Sequence, residues 1–221
     1  MFVGHYAVSL ALKGRQKKIS LGLLFIAVQL VDLLFFPFVL LGIEHFNLVE
    51  NYTESTHFQL SYMPYTHSLL ASFLWAALAY IVVYIMRKQR ENTREIALLT
   101  AIAVLSHWFL DLLVHTPDLP LIADSGLKLG FGLWNNAIAT YVTEAILLLI
   151  ALLYYLKSTE ARSALGKYGM IGFVILLLLI NIVNIFGPFD PAATQLAVAI
   201  TAIISYLVFA LIAHWLDKKR S

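Results

Sequence analysis

The chain contains no cysteine. Disulfides, iron–sulfur clusters and thiolate zinc sites are therefore excluded, and any metal must be held by imidazole and carboxylate. Charge is scarce too: Asp, Glu, Lys and Arg make up 13% of 221 residues, against 61% hydrophobic and a mean hydropathy of +0.82. No soluble domain of this size needs so much apolar surface, so the sequence is that of an integral membrane protein. A net charge of +2 gives no reason to expect nucleic acid as a partner. No internal repeat, low-complexity tract or separate soluble domain is evident, and residues 1–221 read as one membrane domain.

Basic residues are missing from most of the chain, and where they remain they define a topology. Of fifteen Lys and Arg, all but Lys128 fall in four places: Lys13 to Lys18, Arg87 to Arg94, Lys157 to Lys167, and Lys218 to Arg220. The first twelve residues, MFVGHYAVSLAL, would form a helix of about 18 Å, too short to cross a bilayer. They are expected to form a re-entrant or interfacial half-helix carrying His5. The basic cluster follows this run instead of preceding it, unlike the order of a cleavable signal. Apolar spans are expected at about 19–43 (interrupted by Gln29 and Asp32 and bent near Pro37), 65–86, 95–115, 136–156, 168–186 and 193–215. The segment 44–65 is polar, and 116–135 is a Pro- and Gly-containing loop. The positive-inside rule then gives an all-α polytopic protein of six spans plus the half-helix, with both termini cytoplasmic. Residues 1–156 hold the ionisable groups; 157–221 supply two accessory spans.

Ser106 to Pro120, SHWFLDLLVHTPDLP, carries the chemistry. His107, Asp111 and His115 recur at steps of four, which places them on one stripe of a helix. Ionisable groups in a lipid-embedded helix face the protein interior and serve a function there. At 1.5 Å per residue from the basic clusters, Asp32, His107 and Glu144 lie about 20 Å along their spans, and His5 about 12 Å. Asp111 is one turn beyond His107, and His67 and His115 lie near the outer mouth at about 30 Å. Separate segments thus put acidic and imidazole groups into one layer, and gathering them around cations offsets a cost of roughly 2.5–3.5 kcal/mol per isolated carboxylate.

Blander readings exist for each residue. His107 with Asp111 is equally a hydrogen-bonded pair tying helices together, His67 a helix-capping or interfacial histidine, and Asp118 a turn residue. His45, His57 and His214 read as interfacial. Gln29, Asn181 and Asn184 read as interhelical hydrogen-bond partners. Tyr62, Tyr65, Trp108 and Trp134 read as an outer aromatic belt.

THSLL (66–70) and SHWFLDLL (106–113) resemble the paired THS and SHxxLD motifs of the bacterial inner-membrane metal-dependent hydrolases, a group with a LexA-regulated member. That group in turn resembles, distantly, bacterial zinc-dependent phospholipase C. The order of ligand types in that superfamily is matched here by His5, Asp32, His67, His107 with Asp111, His115 and Glu144. The resemblance covers roughly residues 1–150 and raises His5 and His67 as metal ligands. Two departures stand out: Thr140 occupies the position four before Glu144 where the superfamily has His, and Gln29-Leu-Val-Asp32 replaces a Pro-Asp-x-Asp pattern.

The resemblance implies a membrane-embedded hydrolase acting from the extracytoplasmic side on a phosphoester or ester of a lipid, with a divalent metal, zinc or similar, as cofactor. Seven candidate ligands exceed what one catalytic zinc uses, so two or more ions are expected. Asp32 would bridge metals or orient the attacking water. An ion- or proton-coupled permease built on the same cluster is the alternative, and a non-enzymatic membrane scaffold a third.

Overall fold

In an apolar medium every backbone amide must be paired within its own segment, so runs of Leu, Ile, Val, Ala and Phe become long helices. The computed structural model of the protein, which describes residues 1–124 and 126–220, is built this way. Its body is helical: α1 (Gly4–Arg15), α2 (Leu21–Val28), α3 (Leu30–Leu40), α4 (Leu69–Met86), α5 (Thr93–Val114), α6 (Ala137–Ser158), α7 (Ala164–Phe186) and α8 (Gln195–Asp217). Among the described residues, five helices (α4 to α8) are long and apolar enough to cross a membrane, and six spans result if the bent pair α2–α3 counts as one. Large side chains such as Leu74, Ile81, Ile150 and Leu153 stay exposed on the outer faces, where lipid covers them. Ser20, Ser68, Asn136, Ser163 and Thr194 each accept a hydrogen bond from the amide three residues on, capping the helices that follow.

The four basic segments meet at one end of the bundle. Lys18 pairs with Glu91, and Gln16 donates to Glu95 at 2.6 Å. Lys13 Nζ lies 2.7 Å from Asp217 Oδ2 and also donates to the carbonyls of Lys17 and Ile19. Arg220 donates to Thr159 Oγ1 and to the carbonyls of Leu156, Thr159 and Gly166.

Several expectations are corrected here. The half-helix α1 packs inside the bundle, against α6, α2 and α5, with His5, Tyr6, Ser9 and Leu10 fully buried, which agrees with the re-entrant alternative. The first span does not bend near Pro37, which sits inside α3; it breaks by 50° at Gln29, between α2 and α3. The polar segment folds into an antiparallel hairpin, β1 (His45–Leu48) with β2 (Phe58–Tyr62). In the loop after α5, β3 (Leu119–Pro120) pairs with β4 (Lys128–Leu129). Gln29 and Asn181 are fully buried, yet their side-chain amides have no hydrogen-bond partner among the described residues, and Asn184 is exposed. Trp108 is buried with Phe36 and Leu119 instead of joining an aromatic belt, and Trp134 packs on His115.

Candidate metal centre

One stripe of α5 forms the floor of the site. His107 and Asp111, four residues apart, are both about 1% exposed, and His107 Nε2 lies 3.0 Å from Asp111 Oδ2. His115 is the residue that ends α5, in extended conformation, and its ring turns back so that Nε2 is 3.8 Å from Asp111 Oδ2. The following loop holds this end in place, because the amides of Phe131 and Gly132 bond the carbonyls of Leu112 and His115. Gly130 is required here: a Cβ would stand 2.0 Å from the Thr116 carbonyl oxygen.

The other elements bring their groups to this floor. The buried start of α1 stacks His5 on His107, ring centroids 4.0 Å apart and planes 2° from parallel, with His5 Nε2 3.2 Å from Asp111 Oδ1. Asp32 sits in the first turn of α3, where the helix dipole favours a carboxylate. Its Oδ1 is 3.3 Å from His67 Nε2 and 3.6 Å from His107 Nε2. Two groups of ligand atoms close enough to hold an ion result: His5 with His107 and Asp111, and Asp32 with His67 and His107. They share His107, whose single free nitrogen serves one ion. Glu144 stands beside them, with Oε2 accepting from the amides of Phe2 and Gly4 at the start of α1. Thr140 donates to the Leu133 carbonyl. The α-amino group of Met1 is 2.6 Å from Asp111 Oδ1.

The proton inventory decides what this arrangement suits. His107 Nδ1 is 2.7 Å from the Val28 carbonyl, which the break after α2 frees, so that nitrogen must be the donor. Thr66 gives its only hydroxyl proton to Glu44 Oε2, so it must accept from His67 Nδ1, 2.7 Å away. His115 Nδ1 faces Asp118 Oδ1 at 2.8 Å, an acceptor again. In neutral imidazole each Nε2 then carries a lone pair, and all three lone pairs point at carboxylate oxygens, as does His5 Nε2. Lone pair against carboxylate is repulsive unless a cation lies between them. Among the described residues, His5 Nε2 and His107 Nε2 have only Asp111 and Asp32 oxygens beside them, and His5 Nδ1 has no hydrogen-bond partner despite full burial. Imidazole anchored at one nitrogen by carboxylate or carbonyl, and free at the other, is the usual surrounding of a metal-ligating histidine. These imidazole and carboxylate groups could hold a divalent metal ion.

The centre forms one end of a cavity of about 540 Å³. Asp32, His67, Asp111, His115, Trp134 and Glu144 line that end; Phe35, Phe36, Ile185, Val198 and Ala202 line much of the rest. From α8, the helix that sequence alone set apart as accessory, Tyr206 donates to Asp32 Oδ2 at 3.1 Å. That contact leaves Oδ1 to face the histidines.

Sequence reasoning missed the outer supports. Glu44, fully buried, accepts from the Tyr65 and Thr66 amides at 2.8 and 3.0 Å and from the Thr66 hydroxyl at 2.7 Å. Nothing in the sequence separates it from Glu50 and Glu54. Asp118 was legible, three residues after His115 in a turn. Tyr206 left no signal in the sequence. No family model matches the chain, and no curated protein or solved structure matches it either, so what the site does must be argued from its own geometry.

Proposed function

We propose that the chain is a membrane-embedded, metal-dependent hydrolase of a lipid-borne ester, most directly a phosphoester, working at the extracytoplasmic face of a bacterial inner membrane. The single observation that carries this is the convergence of imidazole nitrogens from four histidines on Asp32 and Asp111 at the foot of an amphipathic cavity. The basic turns lie at the opposite end of the protein, which by the positive-inside rule is the cytoplasmic end. Counting α2–α3 as one span then gives six, with the Lys13–Lys18 turn and the C-terminus inside and the cavity, together with Met1 beside Asp111, in the outer half.

His5, His67, His107, Asp32 and Asp111 would hold the divalent cation, which when bound would supply a water of lowered pKa and polarise an ester or phosphoryl oxygen. The chain's own residues do the rest. Asp32, fixed by Tyr206, turns Oδ1 towards the place where an attacking water needs a proton acceptor. The ring of Trp134 covers His115 at 4.1 Å between centroids and keeps bulk water from that face. Asp118 and the Thr66–Glu44 pair hold His115 and His67 in the tautomer that leaves Nε2 free.

Headgroup release from phosphatidylglycerol and phosphatidylethanolamine vesicles tests this reading. Dialysis against a strong chelator is expected to remove metal and release activity together, and added zinc to restore both. Release that continues at full rate from protein with no detectable metal would contradict it.

A further inference from the structure

α7 and α8 lie outside the region that resembles any hydrolase, yet they build much of the cavity beyond the ligand centre. Ala197, Val198, Ala202 and Tyr206 follow one another along one face of α8 at helical spacing, and Ile180 and Ile185 face them from α7. From Ala197 to Tyr206 this wall runs about 14 Å. Phe35 and Phe36 of α3 close it from the side, and Phe58 and Leu60 of β2 belong to the same lining. Small side chains at 197 and 202 keep the space open where Leu or Ile, the commonest residues on these helices, would fill it.

The two ends of the cavity differ in chemistry. One holds carboxylates and imidazoles, and the other is mostly apolar, with Asn184, Thr201 and Ser205 the small polar side chains that α7 and α8 add to it. A soluble phosphoester or an inorganic ion would use the first end and leave the second without a partner. A molecule with a polar ester at one end and an alkyl chain at the other matches both. Resting on the hydrolase reading for the identity of the polar end, we infer that the compartment between α3, α7 and α8 is an acyl-chain site. The helices without metal ligands are then the part of the protein that selects a lipid substrate.

Photolabelling tests this without turnover. The purified full-length protein is placed in phosphatidylglycerol nanodiscs containing a trace of the same lipid with a diazirine midway along one acyl chain. Labelled residues are then mapped by mass spectrometry. Label is expected on the inward faces of α7 and α8, at Ile180, Val198 and Ala202, as well as on lipid-facing positions such as Leu179 and Leu211. Ala202→Trp should reduce the inward label about tenfold, the loss expected when roughly two methylenes can no longer be buried. Leu207→Trp, on the exposed face, should leave it unchanged. Ile180→Trp serves as a second blocking variant should Ala202→Trp fail to fold. Label confined to outward positions in the wild type, or inward label equal in the wild type and a folded blocking variant, would overturn the inference. Metal content and headgroup release, measured on the same samples, separate this from the hydrolase reading. Inward label on protein that holds no metal and releases no headgroup leaves the acyl site standing and removes the hydrolase. Metal and release with outward label only does the reverse.

Discussion

Asp111→Ala is expected to lower the metal content of the purified protein to background and to abolish headgroup release. Asp111 is the group on which the others converge: His107 and His5 lie within 3.2 Å of its oxygens, and His115 within 3.8 Å. Asp111 also pairs with the Met1 ammonium at 2.6 Å, and removing one partner of a buried ion pair costs about 3–5 kcal/mol. The variant will therefore melt at lower temperature as well. Asp111→Asn separates the two effects. It keeps the shape and the hydrogen-bonding capacity, so much of the stability should return, whereas the negative charge needed to hold a divalent cation does not. Elemental analysis beside a thermal melt reads both quantities from one preparation. Metal retained at wild-type stoichiometry in either variant would mean that Asp111 only ties helices together.

The second large effect is expected at a residue that touches no ligand atom. Glu44→Ala removes the acceptor for two backbone amides and for the Thr66 hydroxyl. Orphaned buried donors cost about 1–3 kcal/mol each, so the turn that presents His67 should loosen and the protein lose about 3 kcal/mol or more. Metal affinity should fall by about 10–100-fold, the usual consequence of losing an outer support. Glu44→Gln is the sharper variant. Its amide oxygen still serves the two backbone N–H groups, and the fold should be nearly unaffected. Its NH₂ then faces the Thr66 oxygen, so the Thr66 proton turns to His67 Nδ1 and the ring's own proton moves to Nε2. That nitrogen can no longer bind metal. Competition with a chromophoric chelator should show Glu44→Gln losing affinity about as much as Glu44→Ala while melting near the wild type. Equal affinity in Glu44→Gln and wild type would break the proposed proton relay.

Much of the centre was legible because lipid makes charge conspicuous. His107 and Asp111 stand out at a helical step inside an apolar run, and depth along the spans singled out Asp32 and Glu144. His5 and His67 needed the family resemblance, since a lone histidine near a helix end has several ordinary uses. The depth estimate treated His67 and His115 as residues of straight helices, whereas His67 lies before α4 and His115 at the very end of α5. The break at Gln29 was not legible at all. Ala27-Val28-Gln29-Leu30 contains neither Gly nor Pro, whereas Pro37, which invites a bend, lies inside α3. The break shows itself only through tertiary contact, where the freed Val28 carbonyl orients His107. Glu44 and Tyr206 act through partners far along the chain, a pairing that helical spacing cannot reveal.

X-ray absorption at the metal edge of the purified, untreated protein addresses the converging lone pairs most directly. A bound divalent ion should show a nitrogen and oxygen shell at about 2.0–2.1 Å, with outer-shell scattering from at least about two imidazole rings. Protein that carries no transition metal, or an ion surrounded by water without imidazole, would contradict the account.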